Sequence, residues 1–163
     1  RKSCGTPWIL GKMKYISSDL KKQCLGWKAE NKKIVFTNGC FDLLHKGHKD
    51  LLAKASTYGD ILIIGLNSDK SVKLNKGDSR PIQNQKIRSK ALLNSPHVDS
   101  VCFFDEKTPI NLIHLIKPDV LVKGGDYKLE EIVGALEVKS WSGEVKIIPL
   151  TPGFSTTSQI NSM

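Results

Sequence analysis

Short apolar runs alternate with amphipathic stretches along the chain, and the two patterns predict different elements. Apolar runs bounded by turn formers indicate buried strands, and five of them lie at 32–38, 60–66, 98–104, 118–124 and 143–150. Apolar residues at helical intervals predict helices at 47–59, 83–95, 108–117 and 155–163. A further helical stretch, which is broken by Gly134, is predicted between the fourth and fifth strands. The polar segment 67–81 is rich in turn formers, so we expect a loop there.

The segment ahead of the first strand has a helical pattern of its own. SSDLKKQCLGWKAENKK spaces its apolar residues at helical intervals, and Ser17 or Ser18 is a suitable N-cap. We therefore divide the chain into a leader with a helix, residues 1–31, and a main domain, residues 32–163.

For one predicted helix the sequence also indicates where the helix ends, and for another it indicates which face is buried. Gly59 is expected to stop the helix that follows the first strand, because glycine favours helix ends. The helix at 83–95 is predicted to bury Ile87, Ala91 and Leu92.

Strands that alternate with helices indicate a parallel sheet, because crossover connections join neighbouring parallel strands and cover both faces with helices. The predicted fold class is α/β, with a doubly wound five-stranded parallel sheet and a leading N-terminal helix. In such sheets a ligand binds beyond the carboxyl ends of the strands, where the strand order reverses. We therefore expect the loops after the strands to carry the chemistry.

Composition narrows the class of protein further. The 163 residues fit one globular domain, and no apolar run is long enough for a membrane helix. The opening segment lacks the pattern of a secretory signal, so we expect a soluble, cytoplasmic protein. A net charge of +9 attracts anions without identifying one. The four cysteines include no C-x-x-C pair, and we expect reduced thiols.

Polar, glycine-containing segments follow four of the predicted strands, with the sequences NGCFDLLHKGH, NSDKS, KGGDY and TPGFSTT. In the first segment Gly47 lies near a helix start, where backbone N–H groups and the helix dipole favour an anion. His45 and His48 flank this glycine, and imidazoles donate hydrogen bonds to phosphate oxygens. The pattern indicates a phosphate site.

Metal binding and simple packing are the alternatives for this histidine pair. A zinc-binding H-E-x-x-H helix carries a carboxylate between histidines at i and i+4, whereas His45 and His48 are three positions apart and enclose Lys46 and Gly47. A cation beside the pair disfavours a metal, and we predict no metal site built from the protein. Packing explains many isolated histidines, but not the agreement among the loops.

TNGCFDLLHKGH, residues 37–48, resembles the H-x-G-H signature of the nucleotidyltransferase superfamily. GFSTT, residues 153–157, resembles its second signature, a Ser/Thr-rich turn that opens the last helix. The resemblance implies the Rossmann-like nucleotidyltransferase fold. It also implies an enzyme in which an acceptor phosphate attacks the α-phosphate of a nucleotide and expels pyrophosphate.

The resemblance implies site residues as well. His45 and His48 are the predicted catalytic pair, which binds the triphosphate and offsets the charge that grows on it. The further nucleotide-binding residues expected are Thr37, Asn38, Gly39, Cys40, Phe41, Gly47, Lys123, Gly124, Asp126, Ser155, Thr156 and Thr157. The predicted acceptor-binding residues are Asp42, Asn67, Lys73 and Arg80. For Asp42, support of the loop or of a helix end is the alternative, and Mg²⁺ is expected to arrive with the triphosphate.

Two longer segments, NSDKSVKLNKGDSRP and LVKGGDYKLEEIVGALEV, look most like one branch of this superfamily. That branch makes ADP-heptose from ATP and D-glycero-D-manno-heptose 1-phosphate, for surface glycans such as the lipopolysaccharide core. In many bacteria a sugar kinase of the ribokinase type precedes this activity. Here only the leader precedes it, which resembles the stand-alone form. The expected partners are ATP and a sugar phosphate in a homo-oligomer, without nucleic acid or membrane.

Two other functions stay open at this point. A cytidylyltransferase that uses CTP and glycerol phosphate, or a related alcohol phosphate, shares the H-x-G-H motif and a similar Ser/Thr turn. A nucleotide-sensing or nucleic-acid-binding module would keep the fold and the basic surface without catalysis.

Overall fold

The computed structural model describes residues 20–125 and 127–149, together with the backbone of residues 15–16. In these ranges the strands are β1 (Tyr15–Ile16), β2 (Ile34–Gly39), β3 (Ile61–Asn67), β4 (Ser100–Phe104), β5 (Val120–Gly124) and β6 (Glu144–Ile148). The helices are α1 (Leu20–Ala29), α2 (Lys46–Ser56), α3 (Asp69–Lys76), α4 (Gln85–Leu93), α5 (Ile110–Ile116) and α6 (Ala135–Ser140), with a short 3₁₀-helix at Leu129–Glu131.

The described strands are all parallel and form one sheet in the order β1-β4-β3-β2-β5-β6. The chain runs outward from β2 through β3 to β4, and it then returns to β5 on the other side of β2. The strand order therefore reverses between β2 and β5. This arrangement confirms the predicted doubly wound α/β fold, and it places the crevice at the carboxyl ends of these two strands.

The sheet is buried on both faces by two apolar layers. Ile34 and Phe36 of β2 pack in the layer that contains α1, α5 and α6, whereas Val35 packs in the layer that contains α2 and α4. Successive side chains of a strand point to opposite faces, so both sets must be apolar. This is why the strands are visible in the sequence as continuous apolar runs rather than as alternating patterns.

The leading segment contributes to the core and to the sheet. Leu20 and Cys24 of α1 are buried in the same cluster as Phe36, so the predicted leading helix is confirmed. Each of the five predicted strands is present, and β1 adds a sixth, with Tyr15 paired to Ser100 of β4. A strand of two residues has no measurable period in the sequence, and the open edge of β4 supplies its partner.

The prediction of a loop at 67–81 is wrong, because this segment contains α3. Ser68 caps the helix by accepting a hydrogen bond from the Ser71 N–H. The buried residues of α3 are Ser71 and Val72. One buried apolar side chain does not produce a helical pattern, so the polar composition dominated the prediction. Gly77, with φ of 93°, ends the helix in a conformation that favours glycine.

The helix predicted at 83–95 is present as α4, but it turns a different face to the core. Leu92 is fully buried as expected and Ala91 is half-buried, whereas Ile87 is 49% exposed. The neighbouring Arg88 side chain is 0% exposed. A prediction from hydropathy places an isoleucine in the core before an arginine. The expectation that Ile87 is buried is therefore wrong, and Arg88 is buried instead.

Gly59 is needed for a close approach rather than for the end of a helix, since α2 already ends at Ser56. A Cβ atom at Gly59 would lie 2.7 Å from Val35 Cγ2 and 2.8 Å from the Lys33 carbonyl oxygen. The chain thus turns from α2 into β3 directly against the start of β2. The stretch around Gly134, with φ of 89°, is interrupted as predicted, between the 3₁₀-helix and α6.

We expect Gly59→Ala to lower the free energy of unfolding by about 1–3 kcal/mol, because the new methyl group must displace Val35 and the Lys33 carbonyl. Gly26→Ala is the matched control. Gly26 lies within α1 with no atom near its missing Cβ, so alanine is expected to raise the free energy by about 0.5–1 kcal/mol. Urea unfolding followed by circular dichroism measures both, and a stabilising effect of Gly59→Ala would contradict the close approach.

Candidate active site

The loops that follow β2 and β5 lie at the point where the strand order reverses. Residues 40–45 connect β2 to α2, and Gly125 follows β5. β2 and β5 are neighbours in the sheet, with Thr37 paired to Val122, so the start of one loop lies near the end of the other strand. β2 leads into the site with three of the predicted nucleotide-binding residues, Thr37, Asn38 and Gly39.

His45 and His48 together cap the N-terminus of α2. His45 is the N-cap residue, and its Nδ1 accepts a hydrogen bond from the Gly47 N–H at 3.1 Å. His48 is the third residue of the helix, and its Nδ1 accepts a hydrogen bond from the His45 N–H at 3.3 Å. This reciprocal arrangement is a capping box. The spacing of the two histidines is therefore the spacing of a helix cap.

The capping bonds decide which ring nitrogen carries the proton. Because Nδ1 of each ring accepts a backbone N–H, the neutral ring holds its proton on Nε2. The His45 and His48 rings stack with centroids 3.8 Å apart and planes inclined by 21°, and the Phe41 ring lies 5.3 Å from His48. Two Nε2–H donors thus lie side by side at a helix N-terminus, where the helix dipole also favours an anion.

Burial favours the neutral form of both rings. Burial, together with smaller effects of His45 and Lys76, lowers the pKa of His48 to about 4, while Asp42 acts in the opposite direction. Burial also lowers the pKa of His45 from its ordinary value. At neutral pH the pair therefore donates hydrogen bonds without carrying charge.

The loop between β2 and α2 has a strained backbone that Asp42 supports. Phe41 and Leu43 have φ of 47° and 55°, a conformation that costs a residue with a side chain on the order of 1–3 kcal/mol. Between them, the buried Asp42 carboxylate accepts hydrogen bonds from the N–H groups of Ile82 at 2.7 Å and Gln83 at 2.9 Å. Loop support, one of the roles considered for Asp42, is thus present, and contact with an acceptor stays a prediction.

Arg88 is a charged residue of the site that the sequence analysis missed. Its Nη1 donates to the carbonyl oxygens of Cys40 at 2.9 Å and Asn67 at 2.7 Å. Its Nε donates to the Gln83 carbonyl at 2.9 Å, and its Nη2 donates to the Asp69 carboxylate at 2.8 Å. In the sequence it is one of several basic residues in an amphipathic helix, so no local signal separates it from a solvated arginine.

The three other predicted acceptor residues have different surroundings. Asn67 is buried, and its side-chain amide donates to Ser71 Oγ at 3.0 Å. Lys73 is exposed on α3. The Arg80 Nε lies 4.0 Å from an Asp42 carboxylate oxygen, so Arg80 reaches the loop after β2. The structure brings Arg80 to the site and uses the Asn67 amide within the fold, and contact of these residues with an acceptor stays a prediction.

Lys76 is a second residue that the sequence analysis missed. It lies in the last turn of α3, adds to the lowering of the His48 pKa that burial causes, and opposes the rise that burial causes in the pKa of Cys40. Positive charge near the histidine pair suits a triphosphate. Lys76 follows Lys73 by about one helical turn, but this relation has meaning only when the segment is recognised as a helix.

Lys123 and the glycines after it form the other side of the crevice. Burial lowers the pKa of the Lys123 ammonium, and its Nζ lies 5.1 Å from the centre of the Tyr127 ring, within reach of a cation–π interaction. Gly124 ends β5, and Gly125 follows with φ of 117° and an N–H that donates to the Ile148 carbonyl. The KGG turn is therefore held against β6.

Several predicted features lie outside the described residues, namely Asp126, Ser155, Thr156 and Thr157, the final helix and the N-cap candidates Ser17 and Ser18. Among the residues that are described, no three or more His, Cys, Asp or Glu side chains come together in a group that could hold a metal ion. No helix in the same part of the chain is both long and apolar enough to cross a membrane.

The doubly wound sheet and the capped histidine pair at its reversal point define a domain of the nucleotidyltransferase type. A family model described as Cytidylyltransferase-like matches residues 36–161. The chain belongs to the cytidylyltransferase-like family.

Similar proteins agree with this assignment. The bifunctional protein HldE of Koribacter versatilis (strain Ellin345) is 51% identical over 143 residues, which are 88% of this chain and 29% of that protein. The chain thus spans less than a third of that relative. The lipopolysaccharide core biosynthesis protein from Thermoplasma volcanium GSS1 has a crystal structure with a TM-score of 0.60 and 27% identity, covering 74% of this chain and 97% of that one. Pantoate-beta-alanine ligase from Francisella tularensis shares the fold, with a TM-score of 0.59 and 20% identity. The match covers 93% of this chain and 73% of that one.

We expect acid to destabilise the folded protein through His48. Its pKa of about 4 in the folded state lies below the ordinary 6.5, so between these values only the unfolded chain takes up the proton. The stability that the neutral ring contributes is complete above about pH 6.5 and is lost as the pH falls toward about 4.

His48→Gln is the variant for this measurement, because glutamine at the third helical position keeps the acceptor of a capping box but does not titrate. The urea midpoint of the wild type should fall more between pH 7 and pH 5 than that of the variant. An identical pH dependence of the two proteins would contradict the lowered pKa.

Proposed function

We propose that the protein transfers the adenylyl group of ATP to D-glycero-D-manno-heptose 1-phosphate, which releases pyrophosphate and forms ADP-heptose for surface glycans such as the lipopolysaccharide core. The observation that carries the proposal is the capping box of His45 and His48 at the reversal point of the sheet. It presents two Nε2–H donors at a helix N-terminus, an arrangement that suits the oxygens of a triphosphate.

The choice of acceptor rests on segments 67–81 and 121–138, which look most like the branch that forms ADP-heptose. The similarity to a lipopolysaccharide core biosynthesis protein supports it. The bifunctional proteins HldE, at 51% and 49% identity, cover most of this chain and support a common reaction.

In the proposed reaction an oxygen of the sugar phosphate attacks the α-phosphorus of ATP. The bond from the α-phosphorus to the oxygen that bridges to the β-phosphate breaks in line, and pyrophosphate leaves with the electron pair. No bond to the protein forms. His45 and His48 donate Nε2–H bonds to the phosphate oxygens, whose charge grows as the bond breaks. Because both rings enter neutral, these bonds need no proton transfer.

Positive side chains supply the rest of the charge stabilisation. Lys76 near His48, and Lys123 at the end of β5, offset the charge of the phosphates of ATP. Arg80, beside Asp42, is assigned to the phosphate of the acceptor, because its planar guanidinium suits bidentate contact with phosphate. Asp126 and the hydroxyl groups of Ser155, Thr156 and Thr157 are assigned to the nucleotide by resemblance.

Mg²⁺ would accompany ATP and would be held mainly by phosphate oxygens and water rather than by protein side chains. The described residues fit a metal that is bound through the phosphates. The Asp42 carboxylate near the histidines already accepts two backbone N–H groups, so its oxygens serve the loop and not a metal. The metal offsets phosphate charge when it is bound.

The second candidate is a cytidylyltransferase that uses CTP and glycerol phosphate or a related alcohol phosphate. The description of the matched family favours it. Membership of this family favours an enzyme over a nucleotide sensor or a nucleic-acid-binding module. The homo-oligomer and the cytoplasmic location expected from the sequence stay predictions.

We expect pyrophosphate release only when ATP and heptose 1-phosphate are both present. The measurement incubates the protein with ATP or CTP, each with the α- or β-anomer of the heptose phosphate or with glycerol 3-phosphate. The anomer that reacts identifies the substrate. Turnover that requires CTP and glycerol 3-phosphate would replace the adenylyl proposal with the second candidate.

We expect His48→Ala to lower kcat for pyrophosphate release by at least about 10²-fold, because one donor to the transition state is lost. His97→Ala is the matched control. His97 contacts Ser56 at the end of α2 and precedes β4, so it lies at the amino ends of the parallel strands, away from the site. The kcat of His97→Ala should therefore be unchanged. Circular dichroism verifies the fold of both variants, and full activity of His48→Ala would refute the assigned role.

A further inference from the structure

We propose that Arg88 is a positioning residue of the transfer reaction, which holds the nucleotide side and the acceptor side of the site in a fixed relation. This inference rests on the proposed function for what the two sides bind. Arg88 touches neither substrate and acts through the segments to which it is bonded.

Arg88 joins three separate segments through four hydrogen bonds of one guanidinium group. The Cys40 carbonyl begins the loop that leads to the histidine cap, and the Asn67 carbonyl ends β3 on the acceptor side. The Gln83 carbonyl belongs to the segment that carries Arg80, and Asp69 is the first residue of α3. The four bonds are 2.7–2.9 Å long and come from a side chain that is 0% exposed.

The chemistry of these contacts is specific to arginine. The planar guanidinium has five N–H donors in a fixed fork, whereas a lysine ammonium is a single point with three. Burial of an ion pair is weak support for stability, since desolvation of the charges offsets much of the attraction. What such a group supplies here is a fixed geometry between the ends of two neighbouring strands.

A second set of bonds connects the same two sides. The Asp42 carboxylate in the loop after β2 accepts the N–H groups of Ile82 and Gln83, and the Leu43 N–H donates to Gln83 Oε1 at 3.3 Å. Gln83 is thus bonded to the nucleotide loop directly and to Arg88 through its carbonyl. A shift of the Arg88 side chain moves both sides of the site relative to each other.

In-line transfer requires the attacking oxygen and the α-phosphorus to be aligned, and a displacement of about 1 Å can lower the rate by about 10²-fold. We expect Arg88→Lys to lower kcat by about that factor, with a much smaller change in the KM for ATP, since the histidine cap is intact. Asp69→Asn, a milder change at a partly exposed partner, should lower kcat less, in the same direction. Lys90→Ala, at an exposed basic position of α4, is the matched control and should retain kcat.

Hydrogen exchange provides a readout that needs no turnover. In Arg88→Lys and Asp69→Asn the amides of Leu43, Ile82 and Gln83 should exchange faster than in Lys90→Ala, while those of β5 are unchanged. A wild type that releases no pyrophosphate with any tested pair would refute the proposed function, and exchange would still test Arg88.

The inference is overturned if Arg88→Lys folds and keeps both kcat and the exchange rates of these amides. Should Arg88→Lys fail to fold, Asp69→Asn decides in the same way. A loss that appears only in the KM for ATP also overturns it, because that outcome places Arg88 with nucleotide binding alone.

Discussion

The parallel pairing of β2 on both of its sides is the constraint on which the rest of the structure depends. β3 is bonded to one edge of β2 and β5 to the other, so the chain leaves in one direction and returns in the other. Neither crossover covers the carboxyl end of β2. The loops after these parallel strands open toward the same side, which brings the segments after Gly39 and Gly124 close together although they are far apart in the sequence.

The histidine cap meets two requirements with one set of bonds. A helix start must satisfy its backbone N–H groups, and a phosphate site needs donors of defined direction. Because His45 and His48 accept backbone N–H groups through Nδ1, the helix end is closed and each proton is held on Nε2. A single glycine between them, Gly47, is buried and donates one of the capping bonds. The stability of the helix end and the proposed binding of phosphate thus depend on the same two side chains.

The middle of the sheet and its carboxyl end are stabilised by different physics. Ile34 and Phe36 on one face of the sheet, and Val35 on the other, are buried by apolar packing. At the carboxyl end the buried groups are polar, and Asp42 and Arg88 bond mainly to backbone atoms of other segments. Apolar packing tolerates small shifts, whereas directional bonds fix distances. The polar end of the sheet is therefore the part in which the distances between segments are fixed.

The sequence by itself determined the five main strands, the doubly wound fold and the position of the histidine pair directly after a strand, because these features leave local patterns. A strand buried on both faces is a continuous apolar run, and the histidine pair follows one directly. The tertiary structure alone decided β1, α3 and the face that α4 buries. The Arg88 guanidinium bonds to Cys40, which is 48 positions away, and this contact outweighs the hydropathy of Ile87. A bond between distant segments has no period in the sequence, so only the folded chain reveals which polar side chain is buried and what it holds.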